Sequence, residues 1–190
     1  MKLKWLGHSA WLLTADDGTK IVLDPFEAGC YDGGIGYPPI NETADVVLMS
    51  HTGHPDHGYA AAVGGNPQTF AVSGSHSAKG VTITGLDTFH DESQGKERGT
   101  NVVFTVEVDG VKVTHFGDLG HDLSDQQYDA LAGGAGAKGT NVALIPVGGF
   151  FTIDAKTATK IVQRLKPNVA IPMHYKTETV SYTHLRAHET

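Results

Sequence analysis

Within His51-Thr-Gly-His54-Pro-Asp56-His57, seven residues carry three imidazoles and a carboxylate. Imidazole nitrogen and carboxylate oxygen, with no thiol nearby, form a donor set for zinc, manganese or iron rather than for a soft thiolate-bound ion. Histidines at i, i+3 and i+6 would share a helix face, but Pro55 clashes with the carbonyl of His51 and Gly53 weakens a helix further. The segment therefore reads as a loop, with a helix starting near Asp56. It follows an apolar run of buried-strand type, Val46 to Met49, that stops at Ser50 just where the histidines begin.

The chain holds 11 histidines, and most need a separate reading. His115 alternates with Val113 and Val111, which places it on an apolar strand face as a packed core residue. His76, in Gly74-Ser-His-Ser77, reads as an exposed turn residue. His8 and His121 each adjoin a glycine and are candidates for facing a cleft, as supports or substrate contacts. Tyr175 and Lys176 follow His174 and are candidates either for an anionic substrate group or for solvent. Cys30 has no cationic neighbour in sequence and reads as an inert thiol; with Tyr37 it lies in a Gly-rich stretch that reads as part of a lid.

The elements that must position these residues are short. Lys2 to Leu6, Ala10 to Thr14 and Lys20 to Leu23 have β-type character, and Asp17-Gly18 is a hairpin signal. Phe26 to Thr43, with Gly29, Gly33, Gly34, Gly36 and Pro38-Pro39, reads as a long loop. Val81 to Thr84, Val102 to Val108, Val111 to Phe116, Val142 to Ile145 and Val169 to Ile171 are further strands, with Asp109-Gly110 as a second hairpin turn. Ser124 to Leu131 reads as a helix capped by Ser124. Ala155 to Leu165 is a better one, capped by Asp154 and closed by Pro167. Strands come first in meander pairs and then alternate with helices, which predicts an α/β sandwich of sheets flanked by helices.

On these motifs the chain resembles the metallo-β-lactamase superfamily. The loop is similar to its signature His-x-His-x-Asp-His, and further pieces follow in order: His90 in Thr88-Phe-His-Asp91, Asp118 in Phe116-Gly-Asp-Leu-Gly-His121, and His174 in Pro172-Met-His-Tyr-Lys-Thr177. Asp24 in Leu23-Asp-Pro-Phe26 matches the early aspartate that supports the site. Gly7-His8-Ser9 and Arg98-Gly-Thr-Asn101 make the chain similar to the branch of ascorbate-phosphate-lactonase-like hydrolases. The resemblance implies a four-layer αββα sandwich with metals in a cleft at one edge.

It also implies two divalent metal ions, zinc or manganese before iron. His51, His54 and His90 would hold one and Asp56, His57 and His174 the other, with Asp118 bridging. Asp118 and Asp56 would be the catalytic carboxylates. Two cations about 3.5–4 Å apart acidify a shared water, and the implied function is attack by that hydroxide on an ester, lactone or phosphodiester. Asp24 would accept from the second nitrogen of a ligand imidazole, with His8 and His121 as supporting or substrate-contacting residues. One departure stands out: the signature places its first histidine at 52, where this chain has Thr, so His51 must reach the metal past one extra residue, through a bulge at Gly53. That departure keeps open a non-catalytic or single-metal ligand-binding member of the same fold. A di-iron oxidoreductase is the other alternative.

Composition sets the remaining bounds. The 190 residues suit one domain, and a net charge of -7 disfavours a general electrostatic footprint for nucleic acid. A small-molecule substrate is expected, with no nucleic acid or membrane partner; oligomeric state is open. The single cysteine and the absence of a signal-like start lead to an expected cytoplasmic location. Residues 180–190 resemble a translated transposase adapter, so the expected organisation is a metallo-hydrolase domain over 1–179, C-terminally truncated, with a non-native tail.

Overall fold

Alternation builds the two sheets. In a computed structural model, which describes residues 1–133 and 139–180, Val81, Ile83 and Gly85 of one strand are buried while Thr82 and Thr84 between them are exposed, so one face of that strand is turned to an apolar interior. The first sheet runs in sequence order: β1 (Lys2–Gly7), β2 (Ala10–Thr14), β3 (Lys20–Leu23), β4 (Thr43–Leu48) and β5 (Gly64–Phe70). The second has the reverse order β11-β10-β9-β8-β7-β6, from β6 (Gly74–Ala78), β7 (Val81–Phe89), β8 (Thr100–Val108), β9 (Val111–His115), β10 (Val142–Pro146) and β11 (Val169–Met173). In each sheet the early pairs are antiparallel hairpins, and the last pairs, β3-β4-β5 and β9-β10-β11, are parallel.

Trp11, Leu13, Ile21, Leu23, Val46 and Leu48 of the first sheet interlock with Ile83, Phe104, Val106, Val113 and Leu144 of the second, which gives the sandwich its core. After a single turn, α1 (Cys30–Gly33), in the loop behind β3, come α2 (Asp125–Ala132) and α3 (Ala155–Leu165), which cover the outer face of the second sheet; their Tyr128, Leu131, Ala158 and Ile161 pack on Val103, Phe116, Ala143 and Ile145. Ser124 and Gln127 form a reciprocal capping box on α2, a device worth about 1 kcal/mol. Asp154 accepts from the Thr157 N–H at 2.7 Å at the start of α3. Outside the first sheet, Leu12, Val22, Val47 and Val63 pack with Ile40 of the loop before β4 and with Ala60 of a 3-10 turn, Ala60–Ala62. Among them no helix is long and apolar enough to cross a membrane.

Several expectations are corrected. No helix begins near Asp56; Gly58 N–H closes a turn onto the His54 carbonyl at 2.9 Å. β5 and β6 were invisible to pattern reading because both lie at sheet edges and their sequences, Gly64-Gly-Asn-Pro-Gln-Thr-Phe70 and Gly74-Ser-His-Ser-Ala78, have no apolar face to reveal. His76 accordingly lies in β6, not in a turn, with Nε2 donating to the Val72 carbonyl at 3.0 Å. Cys30 and Tyr37 are not a lid: they pack with Phe26 and Ile35, and the Tyr37 hydroxyl meets Thr177 Oγ1 at 3.1 Å. Burial pushes the Cys30 thiol up to about 11, as suits an inert group. Val180, expected as the first residue of the tail, is buried in the same cluster and bridges Ile35. The rest of that tail, residues 181–190, lies outside the described residues.

Candidate metal centre

Strand ends deliver the site. His8 follows β1, Asp24 follows β3, Ser50 and His51 follow β4, His90 follows β7, Asp118 follows β9 and His174 follows β11, so the C-terminal ends of strands from both sheets meet at one edge of the sandwich. Three of these residues sit in left-handed backbone although none is glycine: His8 at φ 50°, Asp24 at φ 44° and His174 at φ 53°. Such conformations cost on the order of 1–3 kcal/mol each and concentrate where function holds them.

Asp118 is central. Its Oδ2 lies 3.0 Å from His57 Nε2 and 3.5 Å from His90 Nε2, and its Oδ1 lies 3.5 Å from His174 Nε2. His57 Nε2 is also 3.2 Å from Asp56 Oδ2. The His57 and His174 rings stack at 5.3 Å with 2° between planes, and the His8 ring lies 4.2 Å from His174. His8, Asp56, His57 and His174, all buried, offer ligand atoms within 4.8 Å of one another. His8 thus joins the ligand cluster itself, where it was expected among the supports.

The other half is more open. His51 Nδ1–H donates to the Thr100 carbonyl at 2.6 Å, and His90 Nδ1–H donates to the Asp118 carbonyl at 2.8 Å. Because a carbonyl only accepts, both rings carry their proton on Nδ1 and aim an Nε2 lone pair inward. His54 is exposed, with Nδ1 3.5 Å from the Tyr31 hydroxyl. Ring centres are 4.4 Å apart for His51 and His54, 5.0 Å for His51 and His90, and 6.5 Å for His54 and His90. Among the described residues these three do not form a close-set ligand group. Gly53 adopts φ 87°, the bend anticipated for the extra residue in the loop.

The supports differ from the expected ones. Asp24 does not accept from an imidazole: its Oδ1 takes the Ser50 N–H at 2.6 Å and its Oδ2 the Ser50 hydroxyl at 2.5 Å, while His57 Nδ1 stays 3.7 Å away. It braces the residue before His51 instead. His121 is committed to backbone. Its Nδ1–H donates to the Asp122 carbonyl at 2.7 Å and its Nε2 accepts from the Phe89 N–H at 3.1 Å, so both nitrogens fix backbone beside His90. Asn101 and His115 have hydrogen-bond partners that the sequence did not show. Asn101 is fully buried, accepts from the Asp118 N–H at 2.8 Å and donates to Thr88 Oγ1 and the Phe116 carbonyl; an amide opening an otherwise apolar strand was the available signal. His115 is buried as expected but hydrogen-bonded, donating to the Ser9 carbonyl at 2.8 Å and accepting from the Gly117 N–H. Tyr175 and Lys176 are exposed.

Electrostatics prepare the set for cations. Burial, followed by the neighbouring His51, lowers His54, and burial lowers His90 to about 4 and His174 as well, so these rings are neutral with lone pairs free at neutral pH. Burial opposes charge on Asp118, but His57 and His174 outweigh it and hold its carboxyl well below the usual range. Burial likewise opposes the His57 cation, and Asp118 and Asp56 overcome it. Several buried atoms have no hydrogen-bond partner: His51 Nε2, both His57 nitrogens, Asp118 Oδ1 and His174 Nδ1. Leaving buried polar atoms unsatisfied costs about 1–3 kcal/mol each. A donor set of imidazole and carboxylate with orphaned inward atoms fits zinc or manganese.

Above this floor lies a cleft of about 1020 Å³, walled by Tyr31, Thr52, Arg98, Phe150 and Phe151. Two β-sheets face to face with a His/Asp cluster at the strand ends define a class of protein, and the chain belongs to it: the β-lactamase superfamily domain matches residues 2–174. Within that superfamily it is similar to the UPF0173 metal-dependent hydrolase of Thermococcus onnurineus, 30% identical over 205 residues, covering 93% of this chain and 85% of that one. The Archaeoglobus fulgidus protein of the same name is 30% identical, over 93% and 84%. In structure the chain is similar to a proposed Zn-dependent hydrolase of the metallo-β-lactamase superfamily from Thermotoga maritima, with a TM-score of 0.74, 37% identity and coverage of 95% and 79%.

Proposed function

We propose that this metal-dependent hydrolase of the metallo-β-lactamase superfamily cleaves a small ester, lactone or phosphodiester with two divalent ions, zinc or manganese. The observation that carries this reading is the convergence of Asp56, His57, His174 and Asp118, with orphaned ligand atoms, at the floor of a cleft of small-molecule size. Asp56, His57 and His174, with His8 beside them, would hold one ion; His51, His54 and His90 would hold the other, and Asp118 would be shared. Bound divalent ions supply Lewis acidity and lower the pKa of water toward neutrality.

The chain's own groups do the rest. Asp118, kept ionised, places negative charge between the two halves. Backbone carbonyls of Thr100 and Asp118 lock the His51 and His90 tautomers, so neither ring has to reorient as the site fills. The Tyr31 hydroxyl donates to Asp56 Oδ1 at 3.1 Å and orients that carboxylate, and burial keeps the phenol protonated. Phe150 and Phe151 give the cleft an apolar wall. The wide spacing of His51, His54 and His90 favours a second reading, in which one ion is held firmly and the other weakly or not at all. Metal analysis of protein loaded with zinc or manganese, with turnover of a panel of lactones, esters and phosphodiesters, tests both. Two ions per chain with hydrolysis supports the first; one ion with hydrolysis supports the second; no turnover of any member overturns the hydrolytic reading.

A further inference from the structure

Loop 91–99 is shaped by one buried carboxylate. Asp91 is 2% exposed, and its two oxygens accept from the backbone N–H groups of Ser93, Gly95, Glu97 and Arg98 at 2.8–3.1 Å. Burial opposes charge there, yet these four donors hold the carboxyl below the usual range. The loop so fixed runs directly onto the metal centre: a side chain added at Gly99 would touch the His51 ring at 3.6 Å, and the carbonyl of Thr100 is the one that holds His51. Arg98 lies two residues from that carbonyl, a span of at most about 7 Å of chain.

Its side chain lines the cleft, with the guanidinium 5.6 Å from the centre of the Phe151 ring. Among the described residues it has no carboxylate partner within ion-pair distance. Glu97, the nearest acid in sequence, accepts from the Ser93 hydroxyl at 2.6 Å instead. Phe151 meets Phe150 edge-on at 4.6 Å, so the guanidinium faces an apolar wall, with its donor fork uncommitted among the described residues. Among the described residues Arg98 is also the one lysine or arginine lining a cleft whose acidic walls are Asp56, Glu97 and Asp118.

We propose that Arg98 sets substrate specificity: the cleft takes a substrate that carries an oxyanion group, carboxylate or phosphate, away from its scissile bond, bound by the Arg98 fork against Phe151. This rests on the hydrolytic reading above and narrows it. A guanidinium lining the same cleft as the ligand-type residues selects small molecules whose anion lies apart from the bond that breaks. It disfavours neutral lactones and long apolar esters.

The test compares metal-loaded wild-type protein with Arg98→Ala and Arg98→Lys. These variants keep the backbone N–H that Asp91 accepts, so the loop is retained. Calorimetry measures binding of benzoate, phenyl phosphate and neutral benzamide, and kinetics compare phenyl acetate with 4-acetoxybenzoate. The metal contribution is common to all three proteins. In Arg98→Ala, binding of both anions relative to benzamide should weaken roughly 10- to 100-fold, and the kcat/KM ratio of charged to neutral ester should fall as much, through KM. Arg98→Lys should recover part of each, because charge survives and the fork does not. Equal anion binding in wild-type and Arg98→Ala, or an undiminished charged-ester preference, overturns the proposal. Arg98-dependent anion binding with no turnover of either ester would instead leave anion recognition standing and remove the hydrolytic reading.

Discussion

On one side of Asp118, His57 and His174 lie stacked and buried, with His8 and Asp56 closing the group to within 4.8 Å. On the other, His51 and His90 are tethered to carbonyls while His54 stands exposed on a turn, its ring 6.5 Å from that of His90. The first half is already converged, so the cost of bringing its ligands together is met in folding and not at the moment of metal binding. On the proposed assignment the second would have to draw His54 inward, and an ion held there would be weakened by that reorganisation. Preorganisation, not the number of imidazoles, separates the halves.

The largest effect should come from the group both halves share. Asp118→Asn keeps the shape but removes the charge facing His57, His90 and His174, so metal content should drop on both sides and turnover by about 10³-fold or more; near-normal turnover with full metal content would break the assignment. Next, His57→Ala and His54→Ala should differ. The first should abolish the tightly held ion, and the second should weaken only the loosely held one, as read by metal analysis during a chelator titration. Equal losses would erase the distinction between the halves.

Gly53 tests the open half alone. Its φ of 87° has open space around it, so Gly53→Val meets backbone strain without a clash, at about 1–2 kcal/mol. Thermal unfolding should register that loss, and chelation should become easier on the open side only. Deleting Gly53, by contrast, restores regular spacing and should preserve or tighten that site.

The smallest effect is a pH dependence of the metal-free protein. His90 is held at about 4 in the folded chain against about 6.5 unfolded. Between those values the unfolded state binds the extra proton, so stability rises with pH across the window and is lost as pH falls from about 6.5 to about 4. His90→Gln should flatten that slope in chemical denaturation curves. An unchanged slope would assign the dependence to other groups.

What the sequence disclosed follows its physics. β2, β3 and α3 appear with the expected bounds because an apolar run, a hairpin turn and a cap are local signals. The ligand-type residues could be named because histidine clusters are rare and their order along the chain is characteristic. Partners defined only in space could not be read: Asp24 with Ser50, Asn101 beneath Asp118, and the edge strands that share polar composition with loops. His8 shows the limit well, since a single histidine after Gly7 gives no hint that a left-handed turn swings it against His174.

Gly120 and Gly148 run so close to His90 and His174 that an added Cβ would collide with the backbone of each histidine. Main chain against main chain leaves no side chain through which a mutation could retune the centre gradually, so those positions are closed to stepwise adaptation. Thr52, Ala71, Phe150 and Phe151 on the cleft walls carry no such restriction. Directed evolution of this scaffold should therefore accumulate its changes on the walls and leave the glycine-backed floor untouched, allowing new substrates to be explored without disturbing the centre beneath them.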